Sequence, residues 1–155
     1  MQLRIKRRFF SLKMRGDMHM RYEMSCGAVV YTREHGVIQF LLVQQQEGFY
    51  AFPKGHMETN ETERETVLRE IYEEVGIRPT IIDGFRTVEE HAIPDKPHVI
   101  KLIVYFLAEY KEQRITVQEE ELLSAVLASF EEAMELLEYE SKRDVLKEAA
   151  AFLRR

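Results

Sequence analysis

The amino-acid sequence predicts an α+β fold, a mixed β-sheet held between helices, and three observations carry that expectation. Apolar runs around residues 22–46 and 80–110 have the length of strands, while residues 62–76 and the stretch after 129 repeat with the helical period. The longest run, Leu102-Ile103-Val104-Tyr105-Phe106-Leu107, is apolar on both faces, as a central strand covered from both sides must be. The 155 residues are the size of one compact domain, and no apolar run approaches the roughly 20 residues that cross a bilayer.

Taken in order, residues 1–19 place Arg4, Lys6, Arg7, Arg8, Lys13 and Arg15 around Phe9 and Phe10, which predicts a poorly ordered basic tail before a domain over 20–155. A basic arm for nucleic acid or membrane is the other reading of those residues. Order is expected from Tyr22, with Cys26–Tyr31 and Val37–Gln46 paired as a hairpin across His35-Gly36. After the turn signals Gly48 and Pro53, Thr62 with Glu65 three residues on reads as a capping box, and Gly76 as the stop of a helix over 63–75. Two strands follow, Thr80–Glu89 and Val99–Tyr110, joined by the loop Pro94-Asp95-Lys96-Pro97. The end is helical, opening at Ser129 with Glu132 in capping register and continuing through Leu136, Leu137, Val145, Leu146, Ala149 and Leu153.

Charge narrows the function. The net charge is −5, but residues 1–24 hold seven Lys/Arg against two Asp/Glu, which leaves 15 against 25, or −10, for the rest. An acidic body is a poor general nucleic-acid surface, so neither DNA nor membrane is expected as a partner, and it suits an enzyme that recruits cations to meet a small anionic ligand. The single cysteine, Cys26, excludes disulfides and thiolate zinc clusters, fits a reducing cytoplasm, and reads as a small buried hydrophobe.

The chemistry gathers between Pro53 and Ile77. On the expected helix Glu70 lies one turn from Glu73 and Glu74, while Leu68, Ile71 and Val75 take the opposite side. Three like charges so close call for a cation, and oxygen-only donors favour Mg²⁺ or Mn²⁺. Arg69, four residues from Glu65 and Glu73, is placed to orient the carboxylates. A solvated helix face is the bland alternative. Against it stands the longer spacing: Gly55, five residues, Glu61, seven residues, Arg69-Glu70-Ile71, one residue, Glu73-Glu74, one residue, Gly76-Ile77. Its seven Gly, Glu and Arg identities, the two Ile left aside, arise by chance at average usage on the order of once in a hundred million starts.

This segment resembles the Nudix box at every position, and the resemblance extends over residues 22–140. It implies a Nudix-type α/β/α sandwich, divalent metal on Glu70, Glu73, Glu74 and the Gly55 carbonyl, a Glu61–Arg69 pair locking loop to helix, and attack of water on a phosphoanhydride. Outside the box, FPKGHMETNE, IIDGFR and KLIVYFLAEYKE are similar to the asymmetrical diadenosine tetraphosphate hydrolases. That similarity implies phosphate contacts from Lys54, His56 and Lys101, and assistance to metal or base from Glu121, with Glu119 and Glu120 as its neighbours. The nucleotide's adenine needs flat apolar surfaces, for which Phe49, Tyr50 and His91 are the candidates. The branch has tyrosine near His91 and a shorter loop. His56 and His91 read as hydrogen-bonded loop residues before proton shuttles. Two alternatives stand beside a small-molecule nucleotide substrate: a 5′-end RNA pyrophosphohydrolase using the basic tail, and a non-catalytic nucleotide sensor.

Overall fold

The computed structural model describes residues 20–155, so the tail expected over 1–19 lies outside the described residues. Strands β1 (Arg21–Glu34) and β2 (Val37–Gln45) form the expected hairpin, with His35 and Gly36 both at positive φ, 51° and 78°. Two short strands follow, β3 (Tyr50–Ala51) on β2 and β4 (Lys54–His56) on β1. Helix α1 spans Glu63–Val75, its capping box formed in both directions by Thr62 and Glu65 and its end turned by Gly76 at φ 71°. Then come β5 (Thr80–Ile81), β6 (Thr87–Ile93), β7 (Lys96–Glu109), β8 (Leu122–Ala128), α2 (Phe130–Leu136) and α3 (Glu140–Leu153).

The sheet is mixed and runs β3-β2-β1-β7-β5, with β4 beside β1, β6 beside β7 and β8 beside β2. Only the β1–β7 pair is parallel among these, in register from Arg21↔Val99 to Tyr31↔Glu109. Both strands are buried on alternate faces, and two cores result. Cys26, Ala28, Val30, Val104 and Phe106 meet Val67, Ile71 and Val75 of α1. On the other face Val29, Tyr31, Ile103, Tyr105 and Leu107 meet Ala133 and Leu137 with Val145, Leu146 and Ala149 of α3. Cys26 is fully buried as expected, and burial pushes its thiol up to about 12.

Four expectations are corrected. The strand Thr80–Glu89 is two strands, because Ile81 opposes Ala108 while Thr87 opposes Tyr105; residues 82–86 bulge around Gly84 at φ 96°. The loop at Pro94-Asp95-Lys96-Pro97 is a tight turn, with β7 already under way at Lys96. The C-terminal helix breaks at the buried Leu137, whose carbonyl accepts Nε of Arg143 at 2.7 Å, and the break lets α3 lay its own apolar stripe on the sheet. Leu68 is 41% exposed, and Val67 takes its expected place in the core stripe. Strands β3, β4 and β8 are additions; β3 and β4 are only two and three residues long, and all three are held by pairing to β2 or β1.

Candidate active site

Arg69 organises the loop before α1. Its guanidinium forks onto Glu61, Nε to Oε2 at 2.6 Å and Nη2 to Oε1 at 2.9 Å, while Nη2 also donates to the His56 carbonyl at 3.0 Å. Nη1 faces Glu70 at 2.8 Å, Glu73 at 3.2 Å and Glu58 at 3.7 Å. Glu61 further accepts the Glu58 amide at 2.8 Å and the Thr66 hydroxyl at 3.0 Å. These donors, Arg69 foremost, hold its carboxyl down at about 2. Glu65 is not among the partners of Arg69, contrary to expectation; its carboxylate accepts the Thr62 amide in the cap.

Glu70 and Glu74 occupy a tighter place. Gly55 lies against the Glu70 carboxylate, and a Cβ there would run into it, so the missing side chain is what lets α1 approach β4. Burial raises the Glu70 carboxyl. Glu74 is only 5% exposed and is pushed up to about 8, by burial first and then by the charge of Glu70, with the Lys54 backbone N–H and ammonium opposing. Its Oε2 is buried without a partner. An orphaned carboxylate oxygen, a second carboxylate one turn away and an all-oxygen donor set fit a hard divalent ion. Glu73 instead leans on Arg69 with its side chain 49% exposed, and among the described residues no three acidic, imidazole or thiol groups close on one point as they stand. The segment after β7 docks on the end of α1, Thr116 and Gln118 donating to the carbonyls of Val75 and Glu74 at 2.9 Å each. It thereby carries Glu121 to where its charge acts on both Glu70 and Glu74. Glu119 and Glu120 are exposed, and the Glu119 carbonyl accepts from Gln46.

Lysines gather on the far side of β4. Strand alternation turns Lys54 and His56 away from α1, whereas Gly55 faces it. Cross-strand register aligns Lys54 with Gly27, Tyr105 and Thr87, then His56 with Ser25, Ile103 and Glu89, then Glu23 with Lys101 and His91. Gly27 is required at its place, since a Cβ would strike the Pro53 carbonyl and Lys54. Burial lowers Lys54 to about 8, helped by the charges of Lys101 and Lys142. His56 Nδ1 meets the Ser25 hydroxyl at 3.4 Å and His91 Nε2 meets Glu89 Oε1 at 3.1 Å, so both histidines have polar partners, but on strands β4 and β6 and not in the loops expected.

The aromatic candidates diverge. Tyr50 packs on the core below α3, while Phe49 stands edge-on to the exposed ring of Tyr139 at 5.4 Å between centroids. Three polar or aromatic neighbours were not anticipated: Tyr139, Glu89 and Lys142. Glu89 and Lys142 sit in amphipathic stretches where a charge reads as solvent-facing, yet they are 3% and 4% exposed. No local signal distinguishes them.

Comparison with known proteins agrees with this geometry. The NUDIX domain model matches residues 21–149. Asymmetrical bis(5′-nucleosyl)-tetraphosphatases of Mus musculus and Sus scrofa are each 33% identical over 141 residues, covering 83% of this chain and 94% of theirs. The crystal structure of a C. elegans Ap4A hydrolase binary complex superposes with a TM-score of 0.78 at 25% identity, covering 85% of this chain and 98% of that one.

Proposed function

From the premise that this chain belongs to the Nudix family of hydrolases, which cleave phosphoanhydrides, we propose that it hydrolyses diadenosine tetraphosphate to ATP and AMP. The observation that carries the reading is the pair of a part-buried Glu70, set against Gly55, and a buried Glu74 with one oxygen orphaned, with Lys54 on the flank.

In this reading Glu70, Glu74 and the Gly55 carbonyl would hold Mg²⁺, or Mn²⁺ in its place, and Glu73 would be a further ligand on turning away from Arg69. Bound there, a divalent ion supplies charge neutralisation for the phosphates and a more acidic water. Arg69 and Glu61 keep the loop pinned while Glu73 moves, because the bidentate fork survives without it. Lys54 and Lys101 draw in the polyphosphate, and Glu121, whose charge acts on Glu70 and Glu74, assists the metal or base as water attacks phosphorus and the P–O bond to the leaving nucleotide breaks. Phe49 and Tyr139 offer faces for an adenine, and His91, pinned by Glu89, offers another. A cytoplasmic site of action fits the lone buried thiol. Product analysis tests the reaction: ATP and AMP in equal amounts from diadenosine tetraphosphate with Mg²⁺ is the expected result. Turnover of another diphosphate with this substrate left intact would remove the assignment.

A further inference from the structure

Beneath the amino end of α3 lies an ionic cluster that the reaction above does not use. Glu89 of β6, its side chain fully buried, gathers three donors on Oε1: Lys142 Nζ at 3.0 Å, the Tyr105 hydroxyl at 3.2 Å and His91 Nε2 at 3.1 Å. Burial works against the Glu89 carboxylate, but Lys142, Ser141 and His91 outweigh it and hold it below its usual range. The cluster is unfinished at both ends. Oε2 of Glu89 is buried with no partner, and the Lys142 ammonium spends one of its N–H groups on Glu89. A bridge kept only for packing is ordinarily satisfied throughout, because every unpaired buried polar atom costs free energy.

Its place matters as much as its chemistry. Glu89 stands in the same cross-strand row as His56, and His91 in the row of Lys101, on the sheet face that also carries Lys54. Lys54 feels the charge of both Lys101 and Lys142. Among the described residues, three ammonium groups therefore share this face with the buried carboxylate of Glu89, Glu23 being paired with Arg21 at 3.3 Å and Glu74 acting on Lys54 from the α1 side. Such an excess of partly desolvated positive charge is relieved by a multiply charged anion.

We propose that Lys142, delivered by the C-terminal helix and positioned by Glu89, is a third polyphosphate-binding cation beside Lys54 and Lys101, and that it makes the site select longer phosphate chains. The inference rests on the proposed nucleotide hydrolysis for the identity of the ligand, and Glu89 acts through Lys142 as a positioning residue.

The test measures binding by the full chain of methylene-bridged adenosine di-, tri- and tetraphosphates with Mg²⁺. In the double variant Glu89→Leu/Lys142→Met the pair is exchanged for apolar side chains of similar size, which keeps the fold. Affinity for the tetraphosphate is expected to fall about tenfold and for the diphosphate by less than about twofold. Unchanged affinity for all three, or an equal loss for all three, overturns the assignment. A second comparison, Lys142→Arg against Lys142→Gln, is independent of that variant. The arginine form is expected to keep the tetraphosphate preference and the glutamine form to lose it; equal preferences in both count against the proposal. Failure of the wild-type chain to release ATP and AMP would remove the proposed reaction while leaving these binding differences readable.

Discussion

Arg69 and Lys142 are both cations held by glutamate, and they are held in opposite ways. Arg69 stands midway along α1, partly exposed, with four carboxylates around one guanidinium, so losing any one of them leaves others in place. Lys142 meets one carboxylate, Glu89, in the interior, and among the described residues no second ion pair stands in for it. Redundant, partly solvated pairing tolerates rearrangement, which a helix face that must yield Glu73 requires. A lone buried pair is rigid and intolerant, which suits a fixed point.

The largest effect that would sharpen this contrast is on stability. Lys142→Met strands the Glu89 carboxylate and is expected to cost about 3–5 kcal/mol, read by urea denaturation, with Glu89→Leu on top restoring most of it. If the single variant is as stable as the parent, the pair is not the fixed point described. Next comes turnover: Glu74→Gln is expected to lower kcat about a hundredfold, about 2.7 kcal/mol of barrier, with the circular dichroism spectrum unaltered. Near-normal rates would show that the buried carboxylate is not the reactive one. Gly55→Ala is expected to cost about 1–3 kcal/mol of stability and to loosen Mg²⁺ binding, since the new Cβ forces Glu70 aside. Calorimetric titration with Mg²⁺ reads that loss.

The smallest effect belongs to the Arg69 array and is visible in acid. Glu61 titrates near 4.5 when unfolded and is held at about 2 in the fold, so the unfolded chain binds more protons in between. Its contribution is therefore complete above about 4.5 and is lost as the pH falls towards 2. Melting temperatures of Glu61→Gln followed from pH 6 to pH 2 should decline less steeply than those of the parent, and parallel curves would contradict the pairing.

The same contrast marks how far the sequence could be read. Arg69, Glu61 and the carboxylates of α1 lie within a few helical turns of one another, and short spacing on a capped helix dictates proximity whatever the remainder does. The hairpin at His35-Gly36, the stop at Gly76 and the central position of β7 were legible for the same reason, since backbone conformation and side-chain period are local properties. The bulge between β5 and β6 and the break before α3 were not, because each is set by what the chain must lie against. Only the tertiary structure decided that Glu89 and Lys142, 53 residues apart, should meet. A charge in an amphipathic strand or helix carries no sign of which face will be covered, and the covering of that face is the work of elements distant in the chain.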